Sequence, residues 1–289
     1  MMRDFARIGV VALGGLLIAS FGGDLHPVGD SLAVFRVAML GALLVLAVAV
    51  WRWRIAQGAI AVCAVLIGSN IAQGMPDRLD QPADLVIYQK NLLYLTRDRA
   101  GFVDDVIASD ADFVTLQEVS AGNWHLLDDL RAHYPYQLSC DVGEVGGVAV
   151  LSRWPVVGDA CYRSRGLAAG VFDRNGLQVR VIGLHLQWPW PRRQAAHVDA
   201  LMADLTAHSA DVTLVGGDFN MVPSGRSVAR IAAATGTQRI GHVERTFEVL
   251  GYPIAIDHVL ASEGTVGTVD VRPRLGSDHF GVVARIALP

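Results

Sequence analysis

Asp218 and Asn220 stand two residues apart in Gly216-Gly217-Asp218-Phe219-Asn220, behind the apolar run Val212-Thr213-Leu214-Val215 and ahead of Pro223-Ser224-Gly225. Residues i and i+2 of a strand point the same way, so both side chains can address one reacting group. An Asp and an Asn after two glycines are also ordinary turn formers. The weight comes from polar residues at the edges of other apolar runs: Asn91, Glu118, His185, Asp257-His258 and Asp278-His279. Glu118 closes Asp112-Phe113-Val114-Thr115-Leu116-Gln117-Glu118, and a carboxylate on so apolar a strand needs a partner. Carboxylates and histidines together can hold a hard cation and move protons. His185, between Leu184 and Leu186, reads either as one of this set or as a satisfied core histidine. His258 alternates to the face opposite Asp257 and reads as structural, while His125, His133, His197, His208 and His242 read as surface residues.

The elements that must position these residues alternate between strand and helix, an α/β pattern. Strands are expected at Leu85-Val86-Ile87-Tyr88, ending near Asn91, and at 112–118, with helical spacing over 99–109 between them. Asn123 is expected to cap a helix running to about His133. Further strands are expected at 136–139, 147–151, 168–172 and 177–185, with Asn175-Gly176 as a hairpin turn. A helix over about 192–208 leads into the strand before Asp218, and strands follow at about 254–260, 266–271 and 280–286. Asn91, Glu118, His185 and Asp218 then end their strands, whereas Asp257 and Asp278-His279 precede or begin theirs. All can share one rim only if later strands run antiparallel to earlier ones, so the sheets must be mixed rather than doubly wound and parallel. No Gly-x-Gly-x-x-Gly and no phosphate-binding loop ending in Gly-Lys-Ser/Thr occurs, and Lys90 is the only lysine, which argues against nucleotide-binding folds of those kinds.

Asn91 after a strand, Leu116-Gln117-Glu118, Gly217-Asp218-Phe219-Asn220, Ile256-Asp257-His258 and Ser277-Asp278-His279 occur in an order and spacing that resembles the endonuclease/exonuclease/phosphatase family, metal-dependent phosphodiesterases that include deoxyribonuclease I and bacterial sphingomyelinases. The resemblance covers the chain from about Asp84 to Pro289. It implies a four-layer α/β sandwich, two mixed β-sheets face to face with helices outside. It also implies hydrolysis of a phosphate ester, which requires a cation on the phosphate oxygens, an oriented water and charge stabilisation. On this resemblance Asn91, Glu118 and Asp278 are the metal residues, for Mg²⁺ or in its place Mn²⁺. Asp218 orients or deprotonates the attacking water and Asn220 binds the phosphate. His279, oriented by Asp257, stabilises the phosphoryl oxygens or transfers a proton, and His185 contacts the phosphate or assists the leaving group. Nucleic acid, a phospholipid head group and a small phosphate ester all fit such a site. The Arg192-Arg193 and Arg163/Arg165 clusters are the only local basic ones, which argues against long duplexes. Trp188-Pro189-Trp190-Pro191 reads either as an apolar substrate lip or as a packed loop.

The 289 residues leave room for one large domain and an appendage. Only 18% are charged, and the apolar excess lies at the N-terminus. Five of the 24 basic and three of the 28 acidic residues fall within 1–75, so the remainder, with 19 basic and 25 acidic, carries a net charge of −6. That mild acidity disfavours broad adhesion to nucleic acid or anionic lipid. Phe5 to Phe21, Leu32 to Val50 and Ile55 to Gln73 each approach the roughly 17 to 25 residues that span a bilayer, so residues 1–75 are expected to form an anchor of three transmembrane helices. Residues 76–83 are a linker and 84–289 the hydrolase domain. Arg3 and Arg7, then the Arg-free loop around Asp24 and Asp30, then Trp51-Arg52-Trp53-Arg54 place the N-terminus in the cytoplasm and the domain on the extracytoplasmic side. Cys140 and Cys161 either pair there or remain free thiols. The expectation is a membrane-tethered metal-dependent phosphoesterase with the bilayer as its partner and no protein partner evident. The rival is a catalytically silent outer domain that binds without turnover, for which the full acid, amide and histidine set would have no use.

Overall fold

The computed structural model describes residues 1–95, 101–140, 147–158 and 166–289. Four helices come first: α1 (Met2–Ala19), α2 (Val28–Val34), α3 (Arg36–Ala49) and α4 (Arg54–Gln73). α1, α3 and α4 pack on one another through Val10, Leu17, Leu40, Leu43, Ala47 and Cys63. Three membrane-crossing helices were expected, and the structure departs from that. Only α4 is by itself long and apolar enough to cross a membrane among the described residues. The second expected span is broken into α2 and α3, bent by 70°, and α1 carries Arg3, Asp4 and Arg7 in its first two turns.

After the linker come β1 (Leu85–Asn91), α5 (Phe102–Ala108), β2 (Phe113–Val119), α6 (His125–Leu130), β3 (Tyr136–Cys140) and β4 (Gly147–Ser152). Then follow β5 (Leu167–Arg174), β6 (Leu177–His185), α7 (Gln194–Leu205), β7 (Val212–Asp218), α8 (Arg226–Thr235) and β8 (Thr237–Arg239). The chain finishes with β9 (Phe247–Val249), β10 (Tyr252–Ile254), β11 (Asp257–Ser262), β12 (Val266–Arg272) and β13 (Gly281–Ala287). One sheet has the order β12-β13-β1-β2-β4-β3 and the other β5-β6-β7-β11-β8, with β9 and β10 as a separate hairpin. β1 runs parallel to β2 and antiparallel to β13, while β7 runs parallel to β6 and antiparallel to β11. Both sheets are mixed, as the placement of the polar residues required.

Period-two alternation explains the layering. Leu85, Ile87 and Phe113 of the first sheet meet Phe172, Val181, Leu214 and Val259 of the second in the central core. Tyr88, Val114 and Leu116 face outward onto Phe102 and Val106 of α5 and Leu127 of α6. Leu184, Val215 and Leu260 face outward onto Val198 and Leu201 of α7 and Ile231 of α8. The sheets come close at Gly216, where a Cβ would lie 2.4 Å from Thr115 Oγ1, so only glycine fits. Asn175-Gly176 makes the expected hairpin turn, both with positive φ.

The expected strands form with boundaries shifted by a few residues. α8 and the short β8, β9 and β10 were not foreseen. Asn123 does not cap α6, whose N-cap is Trp124. Cys140 is disulfide-bonded and Cys63 is a free thiol, while Cys161, Arg163 and Arg165 lie outside the described residues.

Candidate active site

Register places three side chains abreast on the inner face of the second sheet. His185 of β6 pairs with Asp218 of β7, and Asp218 pairs with Asp257 of β11. From the facing sheet, Gln89 and Asn91 of β1 point at the same row. The Gln89 amide donates to Asp257 Oδ1 at 3.1 Å and to Gln117 Oε1 at 2.7 Å. The Asn91 amide donates to Asp218 Oδ2 at 3.0 Å and to Glu118 Oε1 at 3.1 Å. The site is therefore the polar end of the cleft between the sheets, where the central core gives way to side chains that hydrogen-bond across it.

Glu118 reaches this end by breaking the alternation. Leu116 faces α5 and α6, and strict period two would send Glu118 to that same outer face. Instead Glu118 has φ of +57°, and the β2–β4 register shifts between Leu116 and Val119, so Val119 takes the outer position and the carboxylate turns to the rim. A left-handed backbone costs a non-glycine residue free energy of about 1–3 kcal/mol and persists only where its surroundings hold it. Buried Asn123 does so: its amide donates to the Glu118 carbonyl at 2.9 Å and its Oδ1 accepts the Ser120 N–H at 2.8 Å. The Tyr94 N–H donates to Glu118 Oε2 at 2.8 Å and fixes the carboxylate.

His279 sits on the other side of Asp218. Its Nδ1 is 2.9 Å from Asp257 Oδ2 and its Nε2 is 3.8 Å from Asp218 Oδ2. Burial works against a charged imidazole, but the carboxylates of Asp257, Asp218 and Asp278 outweigh it and push His279 up to about 9. Burial likewise opposes ionisation of Asp257, yet the His279 charge and hydrogen bonds from His279, Thr246 and Gln89 hold it below the usual carboxylate range. For Asp218 burial prevails, helped by the Asp257 charge, and its carboxyl rises to about 6 against the pull of His279 and His185. The pair is thus an imidazolium held by a carboxylate, beside a second carboxyl suited to taking a proton near neutrality.

The remaining expected residues divide. His185, partly exposed, has Nε2 at 3.6 Å from Asp218 Oδ2 and 4.0 Å from Glu118 Oε1. The Asn220 backbone N–H donates to Asp218 Oδ1 at 2.8 Å and its amide to the Leu186 carbonyl at 2.7 Å, leaving Asn220 Oδ1 buried without a partner among the described residues. Asp278 is exposed, with Ser277 Oγ 3.5 Å from its Oδ1, and its charge acts on His279. Asn91 reaches the carboxylates with its NH₂, bridging Glu118 and Asp218, while its Oδ1 accepts the Leu93 N–H at 2.9 Å and keeps a second lone pair. His258 turns away, buried against Phe219 with Nε2 2.8 Å from the Met221 carbonyl, and burial pushes it down to about 4.

Two groups of side chains are candidates for a metal ion. Asp218, Asp257 and His279 have ligand atoms within 4.8 Å of one another, but a charged imidazole has no lone pair to give, since the metal ligand is neutral histidine. The oxygen-rich end formed by Glu118 and Asp218 fits better. Glu118 is partly open to solvent, and Mg²⁺ keeps several waters and needs only one or two carboxylates.

Sequence reasoning missed the supports: Gln89, Thr246, Asn123 and Lys90. Fully buried Lys90 lies on the outer face of β1 and ties down the loop before β13 through the Pro273 and His279 carbonyls, at 2.9 and 2.8 Å. Its signal was present, as the chain's only lysine at the end of an apolar strand. Phe247 also went unnoticed; its ring lies 4.5 Å from that of His279 and 5.8 Å from that of Trp188.

The profile of the endonuclease/exonuclease/phosphatase family matches residues 87–279, and the chain belongs to that family. No curated protein sequence matches the chain. Among solved structures, truncated Caenorhabditis elegans TDP2 is similar over 71% of this chain and 97% of its own, with 18% identity and a TM-score of 0.56. Sphingomyelinase C from Streptomyces griseocarneus is similar over 71% and 99%, with 19% identity and a TM-score of 0.52. A Staphylococcus aureus beta toxin variant with bound magnesium ions is similar over 70% and 99%, with 15% identity and a TM-score of 0.52. At these identities the structures share the fold.

Proposed function

We propose that the chain is a membrane-tethered, Mg²⁺-dependent phosphoric ester hydrolase. The observation that carries the reading is the convergence of Glu118, Asn91, Asp218, His185, Asp257 and His279 from both sheets on one cleft end, with Asp218 between a charged histidine and an oxygen-rich pocket. Glu118, with Asp218, would hold the cation, which neutralises negative charge on the phosphate oxygens. Asp218, its Oδ1 fixed by the Asn220 N–H, would take the proton of the attacking water. His279, kept charged by Asp257, would donate a hydrogen bond from Nε2 to a phosphoryl oxygen, and His185 would face the leaving group from the opposite side of Asp218. A magnesium-bearing beta toxin and a sphingomyelinase among the structural relatives support this chemistry.

The tether rests on α4. Its apolar residues are mostly exposed, including Val62, Val65 and Ile71, as are Ile8, Val11 and Ile18 of α1 and Val45 and Val48 of α3; an apolar exterior of this kind suits lipid rather than water. The segments that touch the hydrolase domain, from the loop after α1 through α2 and at the end of α4, lie at one end of these helices. The loop after α1 meets it through Asp24 and Arg226, and the end of α4 through the Gln73 carbonyl and the Val243 N–H at 2.7 Å. Arg52 and Arg54 lie at the opposite end of α4, consistent with a domain on the extracytoplasmic side. The test is hydrolysis of bis(p-nitrophenyl) phosphate by the full chain in detergent. Turnover should require Mg²⁺, stop with chelator and fall by at least about a hundredfold in Glu118→Ala. Metal-independent turnover, or an unaffected variant, would refute the assignment.

A further inference from the structure

Between the N-terminal helices and the hydrolase domain lies a cavity of about 790 Å³, within the roughly 300–1,000 Å³ typical of sites for one small ligand. One end is apolar, walled by Val37 and Leu40 of α3 and Leu66 and Ile67 of α4. The other end is polar and carries Arg36 and Arg245. The one carboxylate on the lining, Glu244, is already engaged by His242 at 2.6 Å. The half-buried Arg36 guanidinium is held over the Phe21 ring at 4.0 Å and donates to Ser20 Oγ and the Ser20 carbonyl at 3.0 and 2.6 Å. The one carboxylate acting on it, Asp30, lies beyond ion-pair distance and is engaged by the Arg226 N–H at 2.9 Å, so the guanidinium can still favour an anionic partner.

We propose that this cavity binds a single anionic glycerophospholipid, an acyl chain between α3 and α4 and the head-group phosphate at Arg36. The inference rests on the reading of α4 as a membrane helix, which puts the apolar end of the cavity within reach of lipid. The site is distinct from the catalytic cleft, but its walls run into it. Val222-Pro223-Ser224 begin two residues after Asn220, and Val243-Glu244-Arg245 lead into Thr246, whose Oγ1 accepts the Asp257 N–H at 3.1 Å. A bound lipid would therefore brace the two loops that hold Asp218 and Asp257.

Native mass spectrometry of the full chain in mild detergent, titrated with dioleoyl phosphatidylglycerol or phosphatidylcholine, tests this. One phosphatidylglycerol should be retained per chain, about fivefold more tightly than phosphatidylcholine, the size of one cation contact with an anionic head group. Arg36→Gln should erase that preference while retaining the lipid. Val37→Trp, at a half-exposed position that tolerates bulk, should fill the cavity and abolish retention of both lipids. Retention unchanged in both variants would mean lipid bound only around the helices and would overturn the proposal, as would no retention in the parent chain. Detergent-phase partitioning of the same samples separates the two readings: a chain that partitions with detergent yet keeps no lipid refutes the cavity site alone, whereas one that stays in the aqueous phase refutes the tether.

Discussion

Replacing Asp257 by Asn removes one buried negative charge while keeping the volume and most of the hydrogen bonding, so its effect isolates what that charge does to His279. In the structure the His279 imidazole is pushed up to about 9, with Asp257 the largest of the charges that raise it against burial. At pH 8 such a group is about nine-tenths charged, whereas one returned to the ordinary value of about 6.5 is about 3% charged. Burial still opposes the charge, while Asp218 and Asp278 still favour it. If charged His279 stabilises the phosphoryl oxygens, Asp257→Asn should lower kcat at pH 8 by about thirtyfold or more, and the deficit should shrink to within about tenfold at pH 6, where the imidazole recharges. The assay is turnover of a diester at saturating Mg²⁺, each variant divided by the parent at the same pH, with ring-proton chemical shifts following His279 in the metal-free protein. His279→Ala should show the larger loss at both pH values, and the double variant should be little worse than His279→Ala alone, because residues acting as one unit are not additive. An Asp257→Asn deficit equal at pH 6 and pH 8 would refute the argument. A raised Mg²⁺ requirement in its place would make Asp257 a metal ligand.

Asn123→Ala should raise the Mg²⁺ concentration for half-maximal rate by about tenfold or more, while turnover at saturating Mg²⁺ falls less, because the lost contact holds the backbone that aims Glu118. An unchanged metal requirement, measured by Mg²⁺ titration of the rate, would remove Asn123 from that role. Gly217→Ala should destabilise by about 1–3 kcal/mol or more in denaturant titration, since the new Cβ would lie 2.3 Å from the Leu184 carbonyl oxygen of the neighbouring strand; a neutral result would show that β6 and β7 can spread. A reporter fused after Met75 should be active only on the outer side of the membrane, and activity inside the cell would reverse the orientation assigned to α4.

The two sheets were legible because their strands obey simple alternation: Leu85, Ile87, Val212 and Leu214 announce a buried face, and polar residues at strand ends announced which strands had to oppose one another. Asp218 and Asp257 were legible for the same reason, since period two carries each to the inner face, whereas His279, in the loop before β13, was legible from its chemistry alone. Glu118 was found from its chemistry and not its geometry, because alternation sends it to the wrong face and the left-handed turn that corrects it has no sequence mark beyond Asn123 five residues on. Asn123 itself was misread as a helix cap, the commoner use of that side chain near a helix start. Hydropathy could not see the break in the second apolar stretch, because Val34-Phe35-Arg36 is apolar enough to continue a helix, whereas the bend arises from packing. Val34 joins the core beneath α7 and α8, and the Phe35 ring lies 6.2 Å from that of Tyr252.

That bend bears on how the whole chain works. α8 has Gly225 as its N-cap and no local side-chain cap; its first N–H, on Arg226, is instead taken by Asp30 Oδ1 at 2.9 Å, from 196 residues earlier in the chain. The same N-terminal segment places Ser31 Oγ 2.6 Å from the Trp190 carbonyl and the His26 ring 6.5 Å from that of Trp190, on the loop that follows His185. A cap of this kind is worth about 1 kcal/mol, and an unpaired N–H at a helix start costs a similar amount. Cutting the chain at Asp84 therefore removes more than an anchor. It frees the start of α8 and one side of the loop after His185, so residues 84–289 alone should retain the Glu118 pocket and the Asp257–His279 pair, held within the two sheets, while losing definition on the His185 side of the cleft.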